Sequence, residues 1–291
     1  MSSEKSTAII LRVIEFSETS CIVTMLTREF GKLTAIAKGA RRPKSPFDAA
    51  LDVLAICRIV FLHKSSSAMD VLTEAKLERR FRNAAGHLEW LYAGYYVVEL
   101  LRTMVEEGDP HPDLFDLAVS TIAEIDQCDS KAASDTGSPA ALKYYELNLC
   151  VLRFEVGLLK ILGHMPMLTQ CVVCGRERTT QNRVSFGLIA GGIICQSCRP
   201  ALTNVVNVSP AGIGLLIDLG ESWRDLGTKI ANRIEPTELS TLKETRSDYT
   251  DLPSQDAVES ATEIRKLINQ YMTHLLGFEP RLHKFLKQLA V

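Results

Sequence analysis

The amino-acid sequence predicts an α+β protein of more than one domain. A five-stranded β-barrel opens the chain, and an α-helical domain with an inserted four-cysteine metal module follows. Three observations carry this reading. Apolar residues in the first 80 or so positions follow the short, turn-punctuated pattern of strands. From about Asn83 the period becomes helical. Two Cys-x-x-Cys pairs, Cys171/Cys174 and Cys195/Cys198, then interrupt the helical part. The expected boundaries are 1–80 for the barrel and 81–291 for the helical domain, with the module at 168–200 inside the latter. A length of 291 residues fits two such units.

Ala8 to Phe16 and Cys21 to Thr27 are short runs rich in Ile and Val, and Leu33 to Ala37 follows a turn at Gly31. The stretch from Leu51 to Phe61 alternates, with Leu51, Val53, Ala55, Cys57, Ile59 and Phe61 on one face. A serine-rich turn at 65–67 leads into Met69 to Lys76. Five short strands without an intervening long helix suggest a small closed barrel such as an OB-fold. The same periodicity fits an SH3-like barrel or a sandwich.

Leu88, Leu91, Tyr95, Val98, Leu101 and Val105 then repeat at helical spacing, with Gly108 as a stop. Asp113 to Asp126 is a second amphipathic helix, and Asp129 to Pro139 is a polar linker. Ala140 to Leu162 is apolar nearly all round, as a buried central helix is, and ends at Gly163 and Pro166. Ser209-Pro210 pairs an N-cap with proline at the first helical position and opens a helix toward Leu226. Arg246 to Gln255 reads as a polar loop. Ala257 to Leu276 reads as an amphipathic helix stopped by Gly277, and Pro280 begins a short final one.

Hydrophobic residues make up 46% of the chain and charged residues 23%, ordinary values for a globular protein with a core. No apolar run approaches the roughly 20 residues that span a bilayer, and Met1 to Ser6 has no secretory apolar region. The expected location is cytoplasmic, where clustered cysteines read as metal ligands sooner than as disulfides. The formal net charge of −2 is sorted along the chain. Residues 1–82 carry 14 basic against 9 acidic side chains, residues 83–170 carry 5 against 13, and residues 171–199 carry 4 against 1. A basic leading unit before an acidic body points to a localised polyanion site on the former. The acidic, helix-rich part is better suited to protein contacts.

The cysteine pairs are the sharpest local motif. Each Cys-x-x-Cys turn brings two thiolates to one ion, and two turns separated by 20 residues complete a tetrahedral four-sulfur shell for one structural zinc ion. Gly175 follows the first pair, and Gly191-Gly192 mark a hairpin before the second. The alternatives are chance pairs or a redox dithiol, but the βαβ setting of a redox pair is missing. Cys21, Cys57, Cys128 and Cys150 are scattered, and read as filler.

The second motif is basic. Arg28, Lys32, Lys38, Arg41, Arg42 and Lys44 fall within 17 positions with only Glu29 opposing them. Gly39 and Pro43 hold the last four on an irregular loop, where long side chains can follow a phosphate backbone. A solvated loop with no ligand is the plain alternative. Phe30 and Phe47 flank the stretch as candidate base-stacking residues, although either fits a core position as well, and Phe47 fits it better. Catalytic motifs are missing. There is no phosphate-binding loop, Gly212-Ile-Gly214 lacks the third glycine of a dinucleotide site, and the histidines are dispersed. His164, His274 and His283 read as surface or boundary residues. The chain is expected not to be an enzyme.

From end to end the chain resembles the RecO family of DNA repair proteins. The resemblance rests on Lys38-Gly-Ala-Arg-Arg-Pro-Lys-Ser45, Phe154-Glu-Val-Gly-Leu-Leu159, Leu162-Gly-His-Met-Pro166, Cys171-Val-Val-Cys-Gly175, Ser185-Phe-Gly-Leu-Ile-Ala-Gly-Gly192, Tyr271-Met-Thr-His-Leu-Leu-Gly277 and Lys284-Phe-Leu286, in that order. It implies an N-terminal OB-fold, a helical C-terminal domain and a zinc module within it. One departure is that Phe278-Glu-Pro-Arg-Leu-His283 is less basic than that family's usual segment. The resemblance further implies a nucleoid-associated recombination mediator that binds single- and double-stranded DNA. Such a protein anneals complementary strands, including strands coated with single-strand binding protein (SSB), and loads RecA together with RecR. It also implies a site for the SSB C-terminal tail on the helical part, beside Arg265 or Lys266. A barrel-plus-zinc RNA-binding or transcription-associated factor is the alternative that the residues alone leave open.

Overall fold

The first strand, β1 (Ser2–Glu15), is long enough to serve two partners. Its first half pairs antiparallel with β4 (Ile56–His63), from Ser2↔His63 to Ile9↔Ile56. Its second half pairs with β2 (Cys21–Thr27), from Ala8↔Thr27 to Glu15↔Cys21. From β2 the order runs through β3 (Gly31–Ala37) and β5 (Asp70–Arg79) to β4, which closes the barrel onto β1. All of these pairings are antiparallel except β3 with β5. This is the five-stranded barrel expected, with the Greek-key character of an OB-fold. Strand alternation fills it: Ile10, Val23, Met25, Ala35, Ala37, Ile59, Phe61 and Leu72 all point inward and are buried.

The structure, a computed structural model, describes residues 2–43, 45, 47, 50–63, 69–82, 88–132, 140–178, 183–231 and 254–286. The expected turn at 65–67 lies outside them, as do most of the linker expected at 129–139 and of the loop at 246–255. The chain divides into two compact units, residues 1–130 and 131–291. The first unit therefore reaches past the change of period near residue 80. It holds the barrel with α1 (Leu88–Met104) and most of α2 (Pro112–Ala132).

The alternation from Leu51 was expected to be one long strand, but the strand begins only at Ile56. Leu54 has φ +72°, so the chain turns there. Ala50 and Ala55 are buried in the barrel core, and Leu54 is buried beside Gly94 of α1. Leu54 N donates to Ile10 O at 3.0 Å, and Ile10 N donates to Ala55 O at 2.9 Å. These bonds sit where β1 slips register between Ile10 and Arg12. Gly94 lets α1 approach, since a Cβ there would fall 2.9 Å from Leu54 Cδ1.

In the second unit α3 (Ala140–Ile161), α4 (Pro210–Ala231) and α5 (Gln255–Leu276) pack pairwise. The central position of α3 explains its all-round apolar sequence, with Leu147, Val151, Phe154, Leu158 and Leu159 buried. The fifth helix starts earlier than expected because Ser254 caps it: its Oγ accepts from Ala257 N at 3.3 Å. Gly277, with φ +75°, ends it as expected. His283, expected at a surface or boundary, is instead fully buried at the start of α6 (His283–Leu286). Between α3 and α4 lies a three-stranded sheet of order β7 (Gly192–Ile194), β6 (Val184–Gly187) and β8 (Val205–Val208). Among the described residues no helix is long and apolar enough to cross a membrane.

Candidate metal centre and nucleic-acid interface

Two tight turns at the edge of this sheet carry the four cysteines. In the first, Gly175 N donates to Cys171 O at 2.8 Å, a closure that needs the left-handed φ of +70° Gly175 adopts. In the second, Cys198 N and Arg199 N both donate to Cys195 O at 3.1 Å. The β6–β7 hairpin folds the second turn over the first. Gly192 is needed in that hairpin because a Cβ would lie 2.6 Å from Met167 O. Met167 in turn bonds to the residues on either side of Gly192, accepting from Ile193 N at 2.9 Å and donating to Gly191 O at 3.0 Å.

The result is one cluster. The four sulfurs lie within 4.8 Å of one another, and Cys174 Sγ is 3.7 Å from Cys195 Sγ. A metal–sulfur distance of about 2.3 Å in a tetrahedron separates its sulfurs by about 3.8 Å. A disulfide requires about 2.05 Å, so this spacing fits a shared metal ion and not a disulfide. Burial pushes the Cys171 thiol up, but hydrogen bonds from the backbone at Cys195, Cys174 and Val173 outweigh it and bring the thiol down to about 6. The backbone at Cys198 lowers Cys195, while hydrogen bonding with Cys195 and Cys174 pushes Cys198 up to about 12. The residues present fit one metal ion held by four thiolates. The remaining described cysteines are apart from it: Cys21, Cys57 and Cys150 are buried in the cores. Burial pushes the Cys57 thiol up to about 12.

The six basic residues do not form one surface. Lys38, Arg41 and Arg42 are exposed together on the turn that leaves β3. Gly39, at φ +74°, makes that turn, and Arg42 N donates to Gly39 O at 3.1 Å. Arg41 N donates to Thr19 O at 3.1 Å, which anchors the turn to the β1–β2 connection. The Arg41 guanidinium pairs with Glu15 at 3.0 Å, with both side chains exposed. Lys44 lies outside the described residues.

Arg28 and Lys32 are engaged elsewhere in the first unit. Arg28 grips Asp116 of α2 through two bonds of 2.9 Å, which holds its guanidinium above the ordinary value. Lys32 Nζ donates to Arg102 O at 2.8 Å, and burial holds its ammonium below the usual lysine range. Both follow from a close approach that the sequence alone does not reveal. Gly31 packs where a Cβ would lie 2.2 Å from Asp109 O, which draws the α1–α2 connection onto the start of β3.

Neither flanking aromatic is free to stack, and for Phe47 the core reading holds. Phe47 is buried, and Phe30 packs edge-on against Phe61 with centroids 5.2 Å apart. Near the basic turn an exposed aromatic is found instead at Phe16, with 62% of its surface accessible. Sequence reading missed it because Arg12-Val-Ile-Glu-Phe16 is apolar in both phases of the strand period, so nothing marks which phase faces out.

On the helical side, Arg265 is buried and cannot receive an external anion. It donates to Asn148 Oδ1 at 2.8 Å, to Asn148 O at 2.9 Å and to Glu155 Oε2. Its neighbour Lys266 is exposed. The expectation of a tail site beside Arg265 is corrected accordingly. The side chain completes a polar pair inside the α3–α5 packing.

Comparison with known proteins agrees with this architecture. The family described as Recombination protein O N terminal matches residues 1–81. The family described as Recombination protein O C terminal matches residues 86–136 and 140–245. The chain is 36% identical over 285 residues to DNA repair protein RecO of Rhodopirellula baltica, covering 96% of this chain and 97% of that protein. It is 27% identical to DNA repair protein RecO of Anaeromyxobacter dehalogenans, covering 100% and 98%. With DNA repair protein RecO of Salinibacter ruber the identity is 38% over 189 residues, covering 65% and 66%. These similarities run through the barrel, the helices and the cysteine module alike, and the chain belongs to the RecO family of DNA repair proteins.

Proposed function

We propose that this chain binds single- and double-stranded DNA through the turn that leaves β3, and that it anneals complementary single strands, including strands coated with SSB. In the same reading it acts with RecR to load RecA, in the cytoplasm at the nucleoid. The observation that carries the proposal is the exposure of Lys38, Arg41 and Arg42 side by side on a barrel turn, in a chain of a DNA repair family. Annealing requires that the charge of two phosphate backbones be offset while bases find their partners. It makes and breaks no covalent bond, so the protein works by binding and not as an enzyme.

The metal in this reading is one structural zinc ion on Cys171, Cys174, Cys195 and Cys198. Zinc, when bound, joins the two turns and leaves no open coordination position for water or substrate. The surface for the acidic SSB tail is assigned to the helical unit, with Lys266 in place of Arg265 as the basic contact. The test is strand annealing with SSB-coated complementary oligonucleotides and no nucleotide triphosphate. Annealing well above the rate of SSB-coated DNA alone supports the proposal. No acceleration would overturn it.

A further inference from the structure

We infer that Phe16 is a base-stacking residue for single-stranded DNA, at the end of an apolar row on the outer face of β1–β2–β3. The inference rests on the DNA-binding reading of the neighbouring turn. Strand register builds the face. Arg12 pairs with Thr24 and Thr24 with Thr34, while Ile14 pairs with Ile22 and Ile22 with Ile36. These residues alternate with the inward Val13, Val23 and Ala35, so they share the outward phase. Three isoleucines thus line up across three strands outside the barrel core, Ile14 being 38% exposed. Phe16 follows two positions after Ile14, and Lys38 two positions after Ile36.

An apolar row on a sheet face with an exposed phenylalanine at its end is costly to leave in water. One end of the face is closed, because Thr34 Oγ1 donates to Glu107 at 2.8 Å. The other end is open. Phe16 stands on a tight connection, its N–H donating to Ser20 O at 3.0 Å, and Arg41 N ties that connection to the basic turn. Arg12, Lys38 and Arg42 flank the row and make no ion pair among the described residues. Glu15 is paired with Arg41, which leaves Glu18 as the opposing charge on the connection.

Cations beside a flat apolar surface fit a ligand that carries anions and planar faces on alternate sides. Single-stranded DNA has that chemistry, and this face and the first connection are where OB-folds take oligonucleotides. A duplex hides its bases in the stack and gains nothing from Phe16.

The test uses the full chain, fluorescence anisotropy, a labelled thymine strand and an abasic strand of equal length. Phe16→Ala weakens the thymine strand by about five-fold or more, the scale of one lost base stack, and leaves the abasic strand unchanged. Phe16→Trp keeps the affinity, and its indole emission falls on binding. Unchanged affinity for the thymine strand in Phe16→Ala, or an equal loss on both strands, would overturn the inference. A paired Lys38→Glu, Arg42→Glu variant separates the two readings. If it weakens both strands, the basic turn stands whatever Phe16 shows; if it weakens neither, the turn is not the DNA site.

Discussion

Removing one partner of the buried pair between Arg265 and Glu155 has a calculable effect. The two side chains are 1% and 0% exposed, so neither charge is screened by water. Arg265→Met keeps most of the volume but leaves the Glu155 carboxylate, and Asn148 with it, without the guanidinium. Breaking a buried pair in this way costs about 3–5 kcal/mol. With a urea dependence of about 2 kcal/mol per molar, the midpoint of the second unit falls by about 1.5–2.5 M. Trp223 reports that unit alone once Trp90, the other tryptophan, is replaced by Phe. Replacing both partners, as in Arg265→Met with Glu155→Leu, removes the stranded charge and returns much of the loss. An unchanged midpoint in the single variant, or a double variant worse than either single, would refute the reasoning.

Other perturbations give readable outcomes. With one zinc per chain as proposed, Cys174→Ser or Cys198→Ser should bring the zinc found by elemental analysis to near none, with a lower melting temperature for the second unit. Gly31→Ala forces a side chain into φ +68° and against Asp109 O, and should destabilise the first unit by about 2–4 kcal/mol in thermal denaturation. Arg28→Ala should change DNA affinity less than Arg42→Ala does, because Asp116 already neutralises Arg28; anisotropy titrations compare the two.

The sequence reveals most where one local rule governs. The helix ends at Gly163 and Gly277 and the two cysteine turns follow from local chemistry, and the structure places them as read. It reveals less where a contact distant in sequence decides. Ser2 to Thr7 carry no apolar alternation, yet they are strand because β4 pairs with them. Leu51, Val53 and Ala55 alternate like a strand, but they lie on a turn, where Leu51 and Ala55 pack against the barrel core. The short β8 has only Val205-Val-Asn-Val208 and exists through pairing with β6. The basic cluster was read as one site because its members are near in sequence. Asp116 and the Arg102 carbonyl, some 70 to 90 residues away, divide it.

The most direct test of the account is the salt dependence of single-strand binding by the chain and by its Arg41→Glu, Arg42→Glu variant. Each phosphate contact contributes a slope of about −0.7 in log K against log salt, so Lys38, Arg41 and Arg42 together give about −2. The variant should retain a slope of about −0.7 from Lys38 and bind at least about ten-fold more weakly at moderate salt. The loss should not depend on base sequence, since phosphate contacts carry no base information. Metal content should not change, because the turn and the cysteines belong to different units. A variant with the slope and affinity of the parent chain would contradict the assignment of the turn as the DNA site.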